Sequence, residues 1–423
     1  MNVLKLKNGL TLIYEKLEAS RSVSIGYWVK VGSIDEKKEN NGMAHFIEHM
    51  LFKGTTNRSS KDIAIEIDKV GGELNAFTSK ECTCFYTTVL NKHVRNALEI
   101  LSDMLINSEF LAEEIEREKT VIIEEVHLYE DSPEDILEDL ASAIIYKNSP
   151  LEMPIIGTEE TIKSMDREKI KDFFSKYYGS NNSVVSVAGN FDEKELVNLV
   201  EILFADVNAG KSNERIPQKD LFVSDYTFKK KDLEVNHYNI SFDGVDYDSD
   251  EMYTLLLVNN ILGGSVSSRL FQTVREDLGL VYSIDTGPNF HSELGTFHVS
   301  YSTIDAKFDK LTEVLVEELN MLVSDGITLE EVELSKQQLV SSYLLGLDDS
   351  SSYMTWLGKS LIMSERIKLE EEVLAKIDSI DIKDANKLIK KIFDKEKFTV
   401  CTVGNTAEEK SKLLFDYMKK HLK

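Results

Sequence analysis

The rhythm of apolar and polar residues changes several times along this chain, and each change predicts an element. Alternation in "VLKLKNGLTLIYEK", broken at Asn8-Gly9, predicts a β-hairpin, because that dipeptide tolerates the positive φ angles of a tight turn. A third strand follows in "RSVSIGYWVKVGS". Helical spacing predicts helices through "NGMAHFIEHMLFKG" (41–54) and over Ser60–Val70. Strands in "GELNAFTSKECTCFYTTVL" precede two long helical stretches, Val94–Ile106 and Ala112–Tyr129, with more helix to about Tyr178. The strand "NSVVSVAGN" and a helix near Glu193–Phe204 complete this half.

Between Asp206 and Lys231 the periodicity fails in a polar stretch that contains Pro217 and ends in a basic cluster, which predicts an interdomain linker. The domains are then 1–205 and 232–423, joined by 206–231. The second half repeats the first. A shift of 210 sets "HMLFKGT" on "NNILGGS", and a shift of 217 sets "EEIEREKTVIIEEV" on "EEVELSKQQLVSSY". Strands around "LGTFHVSYSTI" again precede two helices, Phe308–Val323 and Leu329–Leu345. Segregated strands and helices predict an α+β fold of two homologous units, each an antiparallel sheet with helices packed on it.

A length of 423 residues agrees with two cores, and 42% hydrophobic with 29% charged residues describes a globular chain. The formal charge of −25 argues against nucleic acid or an anionic membrane as partner; it would favour cationic ligands if the acids line a cavity, the alternative being a solvated acidic surface. Cys82, Cys84 and Cys401 have no disulfide spacing, which suggests a reducing compartment. Cys82 and Cys84 would share one face of a strand, but two thiols are too few for a metal site, and they read as buried core residues. The first ten residues alternate like a strand rather than a targeting segment, and no run is long enough to span a membrane. The expected location is cytoplasmic.

One stretch carries chemistry. His45 and His49 are spaced i, i+4, so on a helix their Cβ atoms lie about 5–6 Å apart, near enough to chelate one ion. Glu48 beside them suits a base that takes a proton from activated water. A catalytic ion needs a third protein ligand, and the helix "EREKTVIIEEVHLYE" offers it. Glu118 and Glu125 are seven apart and share a face with Val121 and Ile122, so both acids point inward, whereas Glu124 sits about 100° away and is expected in solvent. Glu125 is assigned as ligand and Glu118 as the acid that orients a ligand histidine.

"HFIEH" has the inverted order H-x-x-E-H, and the sequence resembles the pitrilysin (inverzincin) family of zinc metallopeptidases over nearly its whole length. The likeness is to the short-chain branch with bacterial processing peptidases and the mitochondrial processing peptidase beta subunit. The family's third ligand falls 76 positions beyond the second histidine, where Glu125 stands, and its acid seven positions earlier matches Glu118. Its G-G-x-x-N-A-x-T segment appears as "GGELNAFTSKE" and its R-x₆-Y signature as Arg275 and Tyr282.

The resemblance implies an endopeptidase with one Zn²⁺ per chain on His45, His49 and Glu125, and Glu48 as base. It implies peptide substrates laid along a strand edge that includes Asn75, Ala76 and Phe77, with Arg275 and Tyr282 contacting them. Each chain would form half of a clamshell, closed by a homodimer into a chamber. Under the repeat, His45, Glu48 and His49 fall on Leu255, Val258 and Asn259, and Glu118 and Glu125 on Ser335 and Ser342. The second unit is therefore expected to be inactive. Two other readings stand: a catalytically silent, structural or peptide-binding member of the same family, and an unrelated protein whose HFIEH is accidental.

Overall fold

The computed structural model describes residues 1–215, 221–364 and 366–423. It divides into two compact units. Unit 1 comprises Met1–His127, Met153–Ile216 and Leu344–Ile367, and unit 2 comprises Leu128–Glu152, Pro217–Tyr343 and Lys368–Lys423.

The sheet of unit 1 contains β1 (Asn2–Lys5), β2 (Thr11–Lys16), β3 (Ser22–Val29), β4 (Glu73–Thr78), β5 (Thr83–Leu90) and β6 (Ser183–Gly189). Their order is β1-β2-β6-β3-β5-β4. Unit 2 has β7 (Tyr226–Lys230), β8 (Asn236–Asp243), β9 (Ile284–Phe290), β10 (Gly295–Thr303) and β11 (Phe398–Gly404), in the order β7-β11-β8-β10-β9. Without β1, the two orders correspond strand for strand, which is the predicted repeat. Each sheet departs from pure antiparallel pairing at one place: β6 runs parallel to β2, and β11 parallel to β7. Both inserted strands are reached only after a long helical excursion, the kind of connection that permits a parallel pair.

The helices that matter most for the site are α1 (Met43–Leu51), α2 (Ser60–Lys69), α3 (Val94–Asn107) and α4 (Ala112–Asp131), followed by α5 (Pro133–Ile145). Phe46, Ile47 and Met50 of α1, Leu98 and Leu101 of α3 and Ile122 of α4 are buried with Ile25, Tyr27 and Phe85 of the sheet in one core. Val121 differs from the expected pattern and is half exposed. It lies about 60° from Glu118, at the rim of the buried face, whereas Ile122 lies nearer the face's centre.

Two helices cross the sequence boundary. α5, from the first half, lies against β7, β8 and β11 of unit 2. In return, Ser350–Ser364 packs on β2, β3 and β6 of unit 1. Its Met354, Leu357 and Ile362 are buried against Trp28, Cys82, Cys84 and Val184, each burial stabilising by roughly 1.5–3 kcal/mol. Contact is closest at Gly358, where a Cβ would stand 2.0 Å from Trp28 Nε1. The Ser350 hydroxyl joins those of Ser22 and Ser24 at 2.8 and 2.9 Å. Both faces of the unit 1 sheet are thereby covered.

The first part of the expected linker is built onto unit 1. Asn208 and Ala209 carbonyls accept from Ser180 and Asn181 amides, and the Arg215 guanidinium grips Asp35 at 2.9 and 2.7 Å. Residues 216–220 of that linker, Pro217 included, lie outside the described residues. All three cysteines are free and buried. Among the described residues, no helix is long and apolar enough to cross a membrane.

Candidate metal centre

α1 begins at Gly42, whose φ of +89° and close approach to the Ile156 carbonyl, 2.7 Å from a built Cβ, favour glycine. Glycine has no capping side chain, so a carboxylate from the preceding loop takes the role. Glu36, itself buried, accepts the amides of Gly42 and Ala44 at 2.7 Å each and the Asn41 side chain at 2.9 Å. Accepting there, Glu36 satisfies helix amides that would otherwise lack partners. Burial pushes the Glu36 carboxyl up, and those three donors oppose it.

From this anchored helix His45 and His49 project together, their ring centroids 4.6 Å apart. α4 brings Glu125 to both: its Oε2 lies 3.8 Å from His45 Nε2 and 3.5 Å from His49 Nε2. One ligand atom from each of the three residues lies within 4.8 Å of the others. Bonds of about 2.0–2.2 Å from one ion would place nitrogen and oxygen ligands about 3–3.6 Å apart, so the two Glu125 separations are already near that range and the cluster would contract around a divalent cation.

Proton placement also fits. Burial, and then the charge of His49, lower the pKa of His45 to about 3, so its ring is neutral near pH 7 and keeps a lone pair. His49 Nδ1 lies 2.8 Å from Glu118 Oε1. The other Glu118 oxygen is paired with Lys53 Nζ at 2.6 Å. Burial alone would raise Glu118, but the bonds from His49 and Lys53 outweigh it and hold the carboxyl below its ordinary value. An ionised Glu118 accepts from His49 Nδ1–H. Burial lowers the His49 pKa, but the Glu118 bond and the charges of Glu125, Glu118 and Glu48 outweigh it and raise it, so a cation taken up at Nε2 would replace a proton there. Glu125 is pushed up, chiefly by burial and further by Glu118, as expected of an acid awaiting a cation.

Glu48 is held by the sheet. The Thr78 hydroxyl donates to its Oε2 at 2.5 Å. Burial raises Glu48, the Thr78 bond and His49 lower it, and Glu125 adds to the rise. Glu124 is exposed, as the helical geometry requires.

Among the described residues β4 is an outer strand, paired with β5 alone. Asn75 is exposed, and its Oδ1 takes the Ala76 amide at 2.8 Å. Ala76 faces the unit 1 core, whereas Phe77 lies on the opposite face, edge-on to Trp28 with ring centroids 5.5 Å apart. Arg275 and Tyr282 come together in unit 2. The guanidinium lies 4.5 Å from the Phe271 ring and 5.9 Å from that of Tyr282, which is 85% exposed.

The aligned positions of unit 2 hold none of these donors. Leu255 and Val258 are fully buried, and Asn259 accepts from Thr286 at 2.7 Å. Ser335 donates to the Leu257 carbonyl at 3.2 Å, and Ser342 is exposed. Sequence spacing did not reveal Glu36, Lys53 or Thr78, whose partners come from other elements. A lysine four positions after His49 on the same helical face was the one signal available for Lys53.

Fold and site together define a two-unit α+β protein in which, among the described residues, one histidine–carboxylate cluster able to hold a metal is found, in the first unit. Residues 11–159 match the family described as insulinase (peptidase family M16), and residues 164–339 match the peptidase M16 inactive domain. The chain is 38% identical to an uncharacterized zinc protease of Bacillus subtilis over 92% of this chain and 95% of that one. It is 35% identical to an uncharacterized zinc protease of Mycobacterium leprae, over 96% and 92%. Among solved structures, that described as a peptidase M16 inactive domain from Pseudomonas fluorescens superimposes with a TM-score of 0.89. It is 17% identical over 95% of this chain and 98% of that one, a likeness of fold alone. The protein belongs to peptidase family M16.

Proposed function

We propose that this chain is a zinc-dependent endopeptidase acting on peptides or unfolded segments, with one Zn²⁺ held by His45, His49 and Glu125. The observation that carries the reading is the convergence of three ligand atoms from two helices within 4.8 Å, beside a further, half-buried acid, Glu48, that accepts from Thr78. The relatives named as zinc proteases support the choice of metal. Zinc at this place supplies Lewis acidity, polarising a peptide carbonyl and making water a stronger acid.

The chain's own groups do the rest. Glu48 takes a proton from water and returns it to the departing amine. Glu118 fixes the tautomer of His49, and Lys53 keeps Glu118 ionised. The open edge of β4, the strand that carries Asn75, Ala76 and Phe77, holds an extended peptide by main-chain hydrogen bonds, Ala76 alone of those three facing that edge. The second half, lacking every ligand, contributes Arg275 and Tyr282 as substrate contacts within a chamber closed by a second copy. The free cysteines suit a reducing, cytoplasmic setting.

Metal content and hydrolysis of a quenched peptide, before and after chelation, test the assignment. Glu48→Gln should keep the metal and lose nearly all turnover, and His49→Ala should lose both. An active Glu48→Gln protein would overturn the base assignment. Stoichiometric metal without hydrolysis would make the chain a silent subunit.

A further inference from the structure

β4 presents two different things at one residue. The Ser79 amide donates to the Cys82 carbonyl at 2.8 Å, closing the β4–β5 hairpin, and Thr78 pairs with Thr83 in the next rung. Hydrogen-bonded and non-hydrogen-bonded pairs alternate in an antiparallel ladder, so 73, 75 and 77 bond to β5. The main-chain groups of Leu74, Ala76 and Thr78 then face the open edge. The Ala76 amide agrees, since it turns to Asn75 Oδ1. The side chains of Leu74, Ala76 and Thr78 share the half-buried face of the strand, and α1 lies against β4.

The hydroxyls nearby fix which way the proton of Thr78 points. Thr83 Oγ1 donates its own proton to the Val31 carbonyl at 2.9 Å. Glu48 Oε2, at 2.5 Å, is the acceptor left for Thr78, while Thr83 Oγ1 is 3.5 Å away. A hydroxyl on a strand is stiff at χ1 when the residue is β-branched, so the donor is held in place by the ladder. Engaging Oε2 distinguishes the two carboxylate oxygens: Oε1 remains to receive the proton of water.

We infer that Thr78 is a positioning residue, through which the strand edge proposed to take the substrate also orients the proposed base. A peptide added to the edge pairs with the main chain of Thr78 and Ala76, and the same residue's side chain sets Glu48. Substrate docking and base alignment are thus mechanically joined at one Cα. The inference rests on the endopeptidase reading of the site.

The test compares Thr78→Val, which keeps the shape and removes the donor, with Thr78→Ser, which keeps the donor. Steady-state hydrolysis of a quenched peptide, bound metal and thermal midpoint are measured on the full-length protein. Thr78→Val should lower kcat by about 10- to 100-fold, with KM and metal content unchanged, because misplacing a catalytic group by about 1 Å has effects of that order. Thr78→Ser should recover most of the rate. A kcat for Thr78→Val within about twofold of the parent overturns the inference, as does an equal loss in both variants. A rise in KM alone would reduce Thr78 to a peptide contact and also overturn it. Crystal structures of the parent and Thr78→Val add a readout independent of turnover: Glu48 should leave its orientation in the variant, and an unmoved carboxylate refutes the role. An inactive, metal-loaded parent would instead sink the endopeptidase reading, with the Glu48 orientation still testing Thr78.

Discussion

Lys53 illustrates how a residue outside the ligand set can govern it. Its ammonium group and His49 share one buried carboxylate, Glu118, at 2.6 and 2.8 Å. Lys53→Met leaves that carboxylate with a single partner, which loosens the orientation of the His49 ring. Affinity for Zn²⁺, read by competition with a chromogenic chelator, should fall about 10- to 100-fold, and Lys53→Arg should restore much of it. An affinity unchanged in Lys53→Met would show that His49 needs no such support. At this scale the sequence was partly legible. An i, i+4 pair of imidazoles and two acids seven apart are local patterns, so spacing alone singles out His45, His49, Glu118 and Glu125, which the fold brings together. Thr78 with Glu48, and Glu36 with the start of α1, are contacts between elements, and no period of 2 or 3.6 encodes them.

Among the elements, the loop after α1 is pinned by a single acid of α3. Asp103 accepts from Thr55 at 2.7 Å, Asn57 at 2.6 Å and Asn107 at 2.8 Å, and pairs with Arg58 at 2.9 Å. Burial would raise its pKa, yet these donors outweigh it and lower the pKa below the ordinary aspartate value. A depressed acid stabilises the fold above its unfolded-state pKa and loses that contribution as pH falls through its folded-state value. Asp103→Asn should therefore cost about 3 kcal/mol at pH 7, measured by urea unfolding. The gap between parent and variant should close at pH values below the ordinary aspartate range. A gap that widened on acidification would contradict the sign. The types of the long elements were legible because apolar residues mark their faces, as in α3 and α4. The parallel placement of β6 beside β2 was not, because strand order depends on how helices route the chain rather than on the strand's own pattern.

At the scale of the molecule, the two compact units are not the two halves of the sequence. The face of the unit 1 sheet that bears Trp28, Cys82 and Cys84 is covered by Ser350–Ser364. A fragment of residues 1–215 should therefore fail to fold cooperatively, and its Cys82 and Cys84 should react with Ellman's reagent while those of the full chain stay protected. A cooperative melt with protected thiols in the fragment would show that the helix is dispensable. The proposed homodimer makes a separate prediction. Mixing His49→Ala chains with Arg275→Ala chains should restore peptide hydrolysis, because one mixed site would then combine an intact metal centre with an intact arginine. Dimers that form without recovery would place the whole site within one chain. Neither the exchange nor its necessity was visible in the alternation of apolar residues, which marks a buried face but not what covers it.

The exchanged helix also sets a timetable for biosynthesis. At about 5–20 residues per second, the ribosome needs roughly ten to thirty seconds after finishing β6 and the helix behind it to deliver Ser350–Ser364. Throughout that interval the nascent first unit carries an uncovered apolar sheet face, and its maturation is tied to the near-completion of translation.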